Sequence, residues 1–307
     1  MLINASCYLG RENRMDNIKS GHDLQAIARN TNRETSIGKH LLDLGKITPE
    51  DAERILRLQK EEGLRFGDAA KKLGLVTEGD ISRALALQFD YPYLQPNEGA
   101  FSKELVAAYQ PFSKQVEALR ALRSQLILRW FNEGYKALSI VSANAGEGCS
   151  NLAANLAVVF SQLGEQTLLV DANLRDPVQH KIFNLTEQRG LSDILVGRAS
   201  VDVITKIESF LDLSVLGAGT VPPNPQELLS RASFSQLMNQ LMENFDVVIV
   251  DTAPGVDTSD AQTVAGRCGG ALLVSKLNKT RISDLANIRD QLRVTGVQIV
   301  GAVVNDF

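Results

Sequence analysis

Cysteine is scarce in this chain: Cys7, Cys149 and Cys268 are the full complement among 307 residues. Three scattered thiols exclude a disulfide framework and a multi-cysteine zinc site. They point to a reducing, cytoplasmic compartment. Long apolar runs are missing too. No uncharged apolar run reaches the roughly 18 residues a transmembrane helix needs. The opening MLINASCYLGRENRMDNIKS has no apolar core of signal-peptide type. Nor is there a basic excess: 32 Lys and Arg stand against 36 Asp and Glu, a formal charge of −4. That argues against a general nucleic-acid binder. Aromatics make up 6%, and no tyrosine follows Tyr135. The remaining balance, 44% hydrophobic and 22% charged, is that of a globular protein long enough for two domains.

Residues 1–34 are polar and read as a flexible leader. Residues 35–92 carry helical periodicity. Pro92, Pro96 and Pro111 mark a linker over 93–112, with one short helix at 102–109. Residues 113–307 alternate strand and helix.

The helical region contains a repeat. SIGKHLLDLGKITPEDAERILRLQ (36–59) is followed, after five residues, by RFGDAAKKLGLVTEGDISRALALQ (65–88). The offset of 29 maps Gly38 onto Gly67, Gly45 onto Gly74, Ile47 onto Val76 and Gln59 onto Gln88. Each unit reads as a short helix, a glycine stop, a Thr cap (Thr48, Thr77) and a second helix. Two such units bury their apolar stripes only against each other, so a small all-α domain is expected.

Downstream, strands are expected at 137–142, 167–171, 213–217, 246–251, 271–275 and 298–304. Helices are expected at 149–163, 226–243, 259–267 and 281–293. Continuous Val/Ile/Leu runs predict a mainly parallel α/β sheet covered by helices on both faces. Ligands in such folds sit beyond the carboxyl ends of the strands. There the sequence reads SANAGEGCSN (142–151), DANLRDP (171–177) and DTAPG (251–255). The first is a glycine-rich turn running into a helix, whose amides at Ala145, Gly146, Glu147, Gly148, Cys149, Ser150 and Asn151 would cradle phosphate. The other two place Asp171 and Asp251 at strand ends beside it, where magnesium on a nucleotide would lie. Ser150 occupies the magnesium-binding hydroxyl position of a P-loop, but the lysine position before it is Cys149.

On these motifs, residues 111–307 resemble the cytoplasmic domain of bacterial tyrosine kinases (BY-kinases) of exopolysaccharide synthesis. Ala143–Ser150 is similar to their first Walker motif, DANLRDPVQHKIF (171–183, with His180 and Phe183) to the second, and VIVDTAP (248–254) to Walker B. GLSDIL (190–195) and LGAGTVPPNPQELLS (216–230) are similar to further stretches of the family. The resemblance implies a P-loop NTPase-like fold, ATP or ADP with magnesium as cofactor, and Ser150, Asp171 and Asp251 as metal ligands. Asp171 and Asp251 would carry catalysis, and Arg175 would join the cofactor site. It also implies a transmembrane chain-length determinant protein as partner, which would hold this chain peripherally at the inner membrane. Homo-oligomers would form through Glu117, Arg120 and Arg123, whose spacing of three keeps them on one side of a helix. The combination with residues 36–89 looks like the EpsG type of chain-length kinase.

Three departures bear on chemistry. Cys149 replaces the Walker lysine, Asn173 replaces a second aspartate, and the C-terminal tyrosine cluster is missing. A unit charge about 4 Å from phosphate is worth roughly 4 kcal/mol at an effective dielectric of about 20. A thiol, neutral near pH 7, does not supply it. Arg175 or Lys276 would be the substitute cation. Cys149 itself reads either as inert or as a reactive thiol at a helix N-terminus.

Residues 36–89 also resemble the N-terminal domain of type II secretion ATPases, some of which bind cyclic di-GMP through two 24-residue motifs five residues apart. The resemblance would assign Gly38, Gln59, Arg65, Gly67 and Gln88 to that ligand. The other reading is a docking module. The expectation is thus a catalytically impaired, kinase-like subunit. The alternatives are an active tyrosine autokinase and a P-loop ATPase that positions a membrane complex.

Overall fold

The computed structural model describes residues 37–88, 94, 99–256 and 258–306. The leader expected over 1–34 lies outside them. The chain divides into two units between Tyr91 and Pro92.

The first unit contains α1 (Ile37–Asp43), α2 (Pro49–Glu62), α3 (Phe66–Lys72) and α4 (Glu78–Gln88). The repeat governs both its caps and its core. Thr48 Oγ1 accepts the Asp51 N–H at 3.2 Å, and Asp51 Oδ2 accepts the Thr48 N–H at 3.1 Å. Thr77 and Asp80 repeat the exchange at 3.2 and 2.9 Å. Such reciprocal capping satisfies amides that a helix start leaves open. Leu41, Ile47 and Ile55 of one repeat and Ala70, Val76 and Ala84 of the other, each 29 residues on, lie in one buried cluster. Ala70, next to Lys71 in sequence, is thus a core position.

The second unit is a seven-stranded sheet in the order β3-β4-β2-β5-β1-β6-β7. Before it come α5 (Val106–Tyr109) and α6 (Lys114–Arg129). The sheet opens with β1 (Ala137–Ser142), α7 (Cys149–Ser161) and β2 (Thr167–Asp171). Then follow α8 (Gln179–Ile182), α9 (Leu191–Leu195), β3 (Thr205–Lys206) and β4 (Leu213–Leu216). Next are α10 (Pro225–Leu229), α11 (Ala232–Asn244) and β5 (Val247–Asp251). The chain closes with α12 (Asp260–Cys268), β6 (Gly270–Lys276), α13 (Ile282–Val294) and β7 (Gln298–Asn305). All pairings are parallel except β3 on β4.

The central strands are buried on both faces. Leu138, Ile140, Leu169 and Ile249 pack with Leu156, Val159 and Phe160 of α7. Leu168, Val170, Val248 and Val250 pack with Phe234 and Leu237 of α11. Each such side chain contributes roughly 1.5–3 kcal/mol by leaving water. Trp130 closes the sheet's lower end: its indole donates to the Ala137 carbonyl at 2.9 Å and stacks 3.9 Å from Tyr135.

Three expectations change. Within 93–112, read as a linker from its prolines, Leu94, Leu105, Ala107 and Ala108 pack into the α/β core. Asn155 of α7 accepts the Ala107 N–H and donates to the Glu104 carbonyl, both at 2.9 Å, which pins this strap to the sheet's cover. The helix expected over 226–243 is two helices. They break at an extended Arg231, so that Leu228 and Phe234 both turn inward. The short edge strand β3 had no apolar run to announce it.

Candidate functional site

The loop after β1 is shaped by its neighbours. Gly148 sits at φ +89°, and a Cβ there would lie 2.1 Å from Asn305 Nδ2, so glycine alone fits this step into α7. Glu147 is buried, and its side chain is a brace. Its carboxylate accepts the Asn144 amide N–H at 3.0 Å, the Asn144 side chain at 3.1 Å and the Thr280 hydroxyl at 2.6 Å. Its contribution to a phosphate site is its backbone. Ala145 and Gly146 stand exposed at the loop's apex.

Cys149 opens α7 with its thiol turned back under the loop, donating to the Ile140 carbonyl at 3.1 Å. Burial, aided by the nearby Asp251 carboxylate, pushes this thiol well above its ordinary pKa. Desolvation here opposes the helix-terminus field, and this favours the inert reading of the thiol over the reactive one.

Asp171 and Asp251 face each other across the β2–β5 register. Both are fully buried. Burial and the Asp251 charge raise the Asp171 carboxyl well above the usual range, although the amides of Gln179, Asn173 and Val178 donate to it. Burial also raises Asp251. Gln179 bridges this acidic pair and the loop. Its N–H donates to Asp171 at 3.0 Å, and its Nε2 donates to Asp251 Oδ2 at 2.9 Å and to the Ser150 carbonyl at 3.0 Å. Asp251 Oδ1 and Gln179 Oε1 remain buried without a hydrogen-bond partner. Buried orphaned oxygens beside a second carboxylate are a donor set suited to a hard cation.

Asn173 is buried and engaged in its own turn, exchanging bonds with the Asp176 backbone at 2.9 and 3.2 Å. Arg175 reaches the site but is already matched, gripping Asp260 at 2.6 and 3.1 Å. Ser150, Asn151, Asn173 and Arg175 line a cleft of about 460 Å³ together with the loop, Lys181, and Ser102 and Glu104 from the strap. Such a volume suits a small-molecule ligand. The sequence reading missed Gln179, Asn305 and the strap. Gln179 lies inside the 171–183 motif and Asn305 at a strand's carboxyl end, so position alone marked both for attention.

On α6, Glu117 and Arg120 pair at 3.1 Å on the surface, whereas Arg123 turns inward and donates to the Val159 carbonyl of α7. The three residues share a helix side but not one role. In the helical unit, the close approach allowed by Gly38 and Gly67 is taken by the protein itself. A Cβ at Gly38 would lie 3.0 Å from the Phe66 ring, and one at Gly67 would lie 3.2 Å from Ile81. Arg65 and Gln88 are exposed, Gln59 half-buried.

Residues 135–306 match the family model described as ParA: NUBPL iron-transfer P-loop NTPase. The chain is 34% identical over 213 residues to tyrosine-protein kinase YwqD of Bacillus subtilis (strain 168), covering 69% of this chain and 90% of that protein. Among solved structures, the chimerical protein CapA2B2 superposes with TM-score 0.64 at 32% identity, covering 75% of this chain and 99% of that one. The kinase domain of Escherichia coli tyrosine kinase ETK superposes with TM-score 0.63 at 30% identity, covering 70% and 89%.

Proposed function

The chain belongs to the bacterial tyrosine-kinase family of P-loop proteins, and we propose that it is a nucleotide-binding regulatory subunit that has lost phosphoryl transfer. The observation that carries this is the buried Cys149 thiol, bonded to Ile140 where the family places a phosphate-binding lysine. The cleft fits a magnesium nucleotide on two grounds. Residues 145–151 line it, and Ser150 among them is tied through Gln179 to Asp251, whose Oδ1 is buried without a partner. Ser150, Asp171 and Asp251 would hold that cation, which when bound supplies charge neutralisation to the phosphates. The chain's own contribution is binding and orientation. Glu147 and Asn305 hold the loop, Gln179 bridges the two carboxylates, and Asn173 has no group that can take a proton. Full-length protein incubated with labelled ATP and magnesium should gain no phosphotyrosine. Robust phosphotyrosine by mass spectrometry would establish the active autokinase instead.

The family resemblance supports a role in exopolysaccharide synthesis beside a membrane-spanning chain-length partner, on the cytoplasmic face of the inner membrane. No helix among the described residues is long and apolar enough to cross a membrane, so attachment would be through that partner. Self-association would use the surface pair Glu117–Arg120. Light scattering that gives equal mass for wild type and Arg120→Glu would refute it. The helical unit is best read as a docking module, because Leu56 and Leu85, equivalent in the repeat, are both exposed. Cyclic di-GMP remains the ligand to titrate against the full chain: saturable binding lost in Arg65→Ala would replace the docking reading.

A further inference from the structure

The turn between β6 and α13 is fastened to the phosphate loop. Leu277 donates its N–H to the Asn305 carbonyl at 2.8 Å, and the Asn305 side chain donates to the Glu147 carbonyl at 3.2 Å. Thr280 donates to the Glu147 carboxylate at 2.6 Å. Between these anchors, Lys279 extends over the loop's apex. Its Nζ donates to the carbonyls of Ala145 at 3.1 Å and Gly146 at 3.4 Å. A Cβ at residue 146 would lie 2.9 Å from that ammonium, which shows how closely it approaches the loop.

Among the described cations near the cleft, Lys279 is bonded to the loop's apex, whereas Lys181 lines the cleft without such a bond. Arg175 is held in a bidentate pair by Asp260. Neither Lys276, the other substitute named by sequence, nor Lys279 lines the cleft itself, but Lys279 bonds two loop residues, Ala145 and Gly146, that do. Lys279 forms no ion pair among the described residues. Two neutral carbonyls are its partners, and they are weaker acceptors for an ammonium than a phosphate anion. A four-carbon stem on an exposed turn can redirect the charge at little cost.

We propose that Lys279 is the phosphate-binding cation of this loop, supplying from the β6–α13 turn the positive charge that position 149 lacks. The ligand class is a nucleoside di- or triphosphate, since the charge stands beside the amides that would hold the terminal phosphates. The proposal rests on the nucleotide-binding reading above. It also explains how binding persists without transfer: a lysine at the loop's apex neutralises phosphate but does not occupy the first turn of α7.

The test is calorimetric titration of the full chain with ATP, ADP and AMP at fixed magnesium, for wild type, Lys279→Ala, Lys279→Arg and Lys206→Ala. Lys206 lies on the edge strand β3, away from the loop. Lys279→Ala should weaken ATP and ADP binding about tenfold, the part of a close charge–phosphate attraction that survives solvent screening. AMP should change less, Lys279→Arg should retain most of the affinity, and Lys206→Ala should match wild type. Adding Cys149→Lys to Lys279→Ala should restore binding, a rescue that a merely structural lysine would not allow. If wild type binds ATP and Lys279→Ala binds it equally, the assignment of Lys279 is wrong while the cleft's reading stands. If wild type binds none of the three nucleotides, the cleft's reading falls and takes the assignment with it.

Discussion

Asn155→Ala should release the strap that forms one wall of the cleft. Asn155 sits in the middle of α7, nearly inaccessible to water. Its side chain accepts the Ala107 N–H at 2.9 Å and donates to the carbonyls of Glu104 at 2.9 Å and Asn151 at 2.8 Å. Alanine removes the partner of two strap groups, the Ala107 N–H and the Glu104 carbonyl, without giving them access to water. Each buried orphan costs about 1–3 kcal/mol, so the strap should lose about 3 kcal/mol of its local stability. The apolar anchors Leu105 and Ala108 and the Ser102 N–H bond to the Ile182 carbonyl remain. Opening should therefore be local before it is global. Amide hydrogen exchange at Ala107 should accelerate by roughly a hundredfold, the factor that corresponds to that loss. Asn155→Asp keeps the acceptor for Ala107 but sets a carboxylate against the Glu104 carbonyl, so its exchange should fall between the two. Because Ser102 and Glu104 line the cleft, nucleotide affinity should fall alongside. An Asn155→Ala protein with unchanged Ala107 exchange would show that the strap is held by apolar contact alone, and this account of it would be wrong.

Restoring both missing groups, Cys149→Lys with Asn173→Asp, should yield measurable ATP hydrolysis where each single change does less. Lysine alone should tighten binding, and aspartate alone should weaken it by repelling phosphate. Equal ATP affinity in all four proteins would refute the loop's role. Gly190→Ala should unfold the α9 region, because its Cβ would lie 2.1 Å from the Gly217 carbonyl oxygen and 2.5 Å from the Gly219 nitrogen. Soluble Gly190→Ala protein with a wild-type melting curve would contradict the geometry. In the helical unit, the Lys46 ammonium and the Thr77 hydroxyl hold Asp80 at about 2. A lowered folded-state pKa stabilises above the unfolded value and is lost as pH falls through the folded one. The contribution, roughly 1–2 kcal/mol after solvent screening, should therefore persist at pH 5 and disappear between about pH 4 and 2. Amide exchange in residues 78–88 of wild type and Asp80→Asn should differ at pH 5 and converge at low pH. A difference independent of pH would sink this reading.

What the sequence determined by itself is whatever depends on neighbours along the chain. Thr48 and Thr77 cap their helices through residues three positions on, so the repeat disclosed both caps. The strands β1, β2 and β5 were legible because burial on both faces removes polar interruptions from a run of Val, Ile and Leu. The glycine loop was legible because its tight turn needs residues without side chains, and Asp171 and Asp251 because strand ends can be counted. Tertiary structure decided the rest. The strap looked like a linker because prolines punctuate it, and its anchor, Asn155, lies 48 residues from Ala107. Glu117, Arg120 and Arg123 share a spacing, yet only contact with α7 turns Arg123 inward. Cys149 could be read as inert or reactive until β1 supplied the Ile140 carbonyl that its thiol meets. Gln179 became a bridge only when the register of β2 and β5 set two carboxylates side by side. Lys279 met the loop only because β6 lies beside β1, which carries a turn 134 residues away in sequence onto Ala145. Local propensity and spacing are written in short segments, whereas the partners of a buried or loop-spanning group are chosen by sheet order, which no short segment contains.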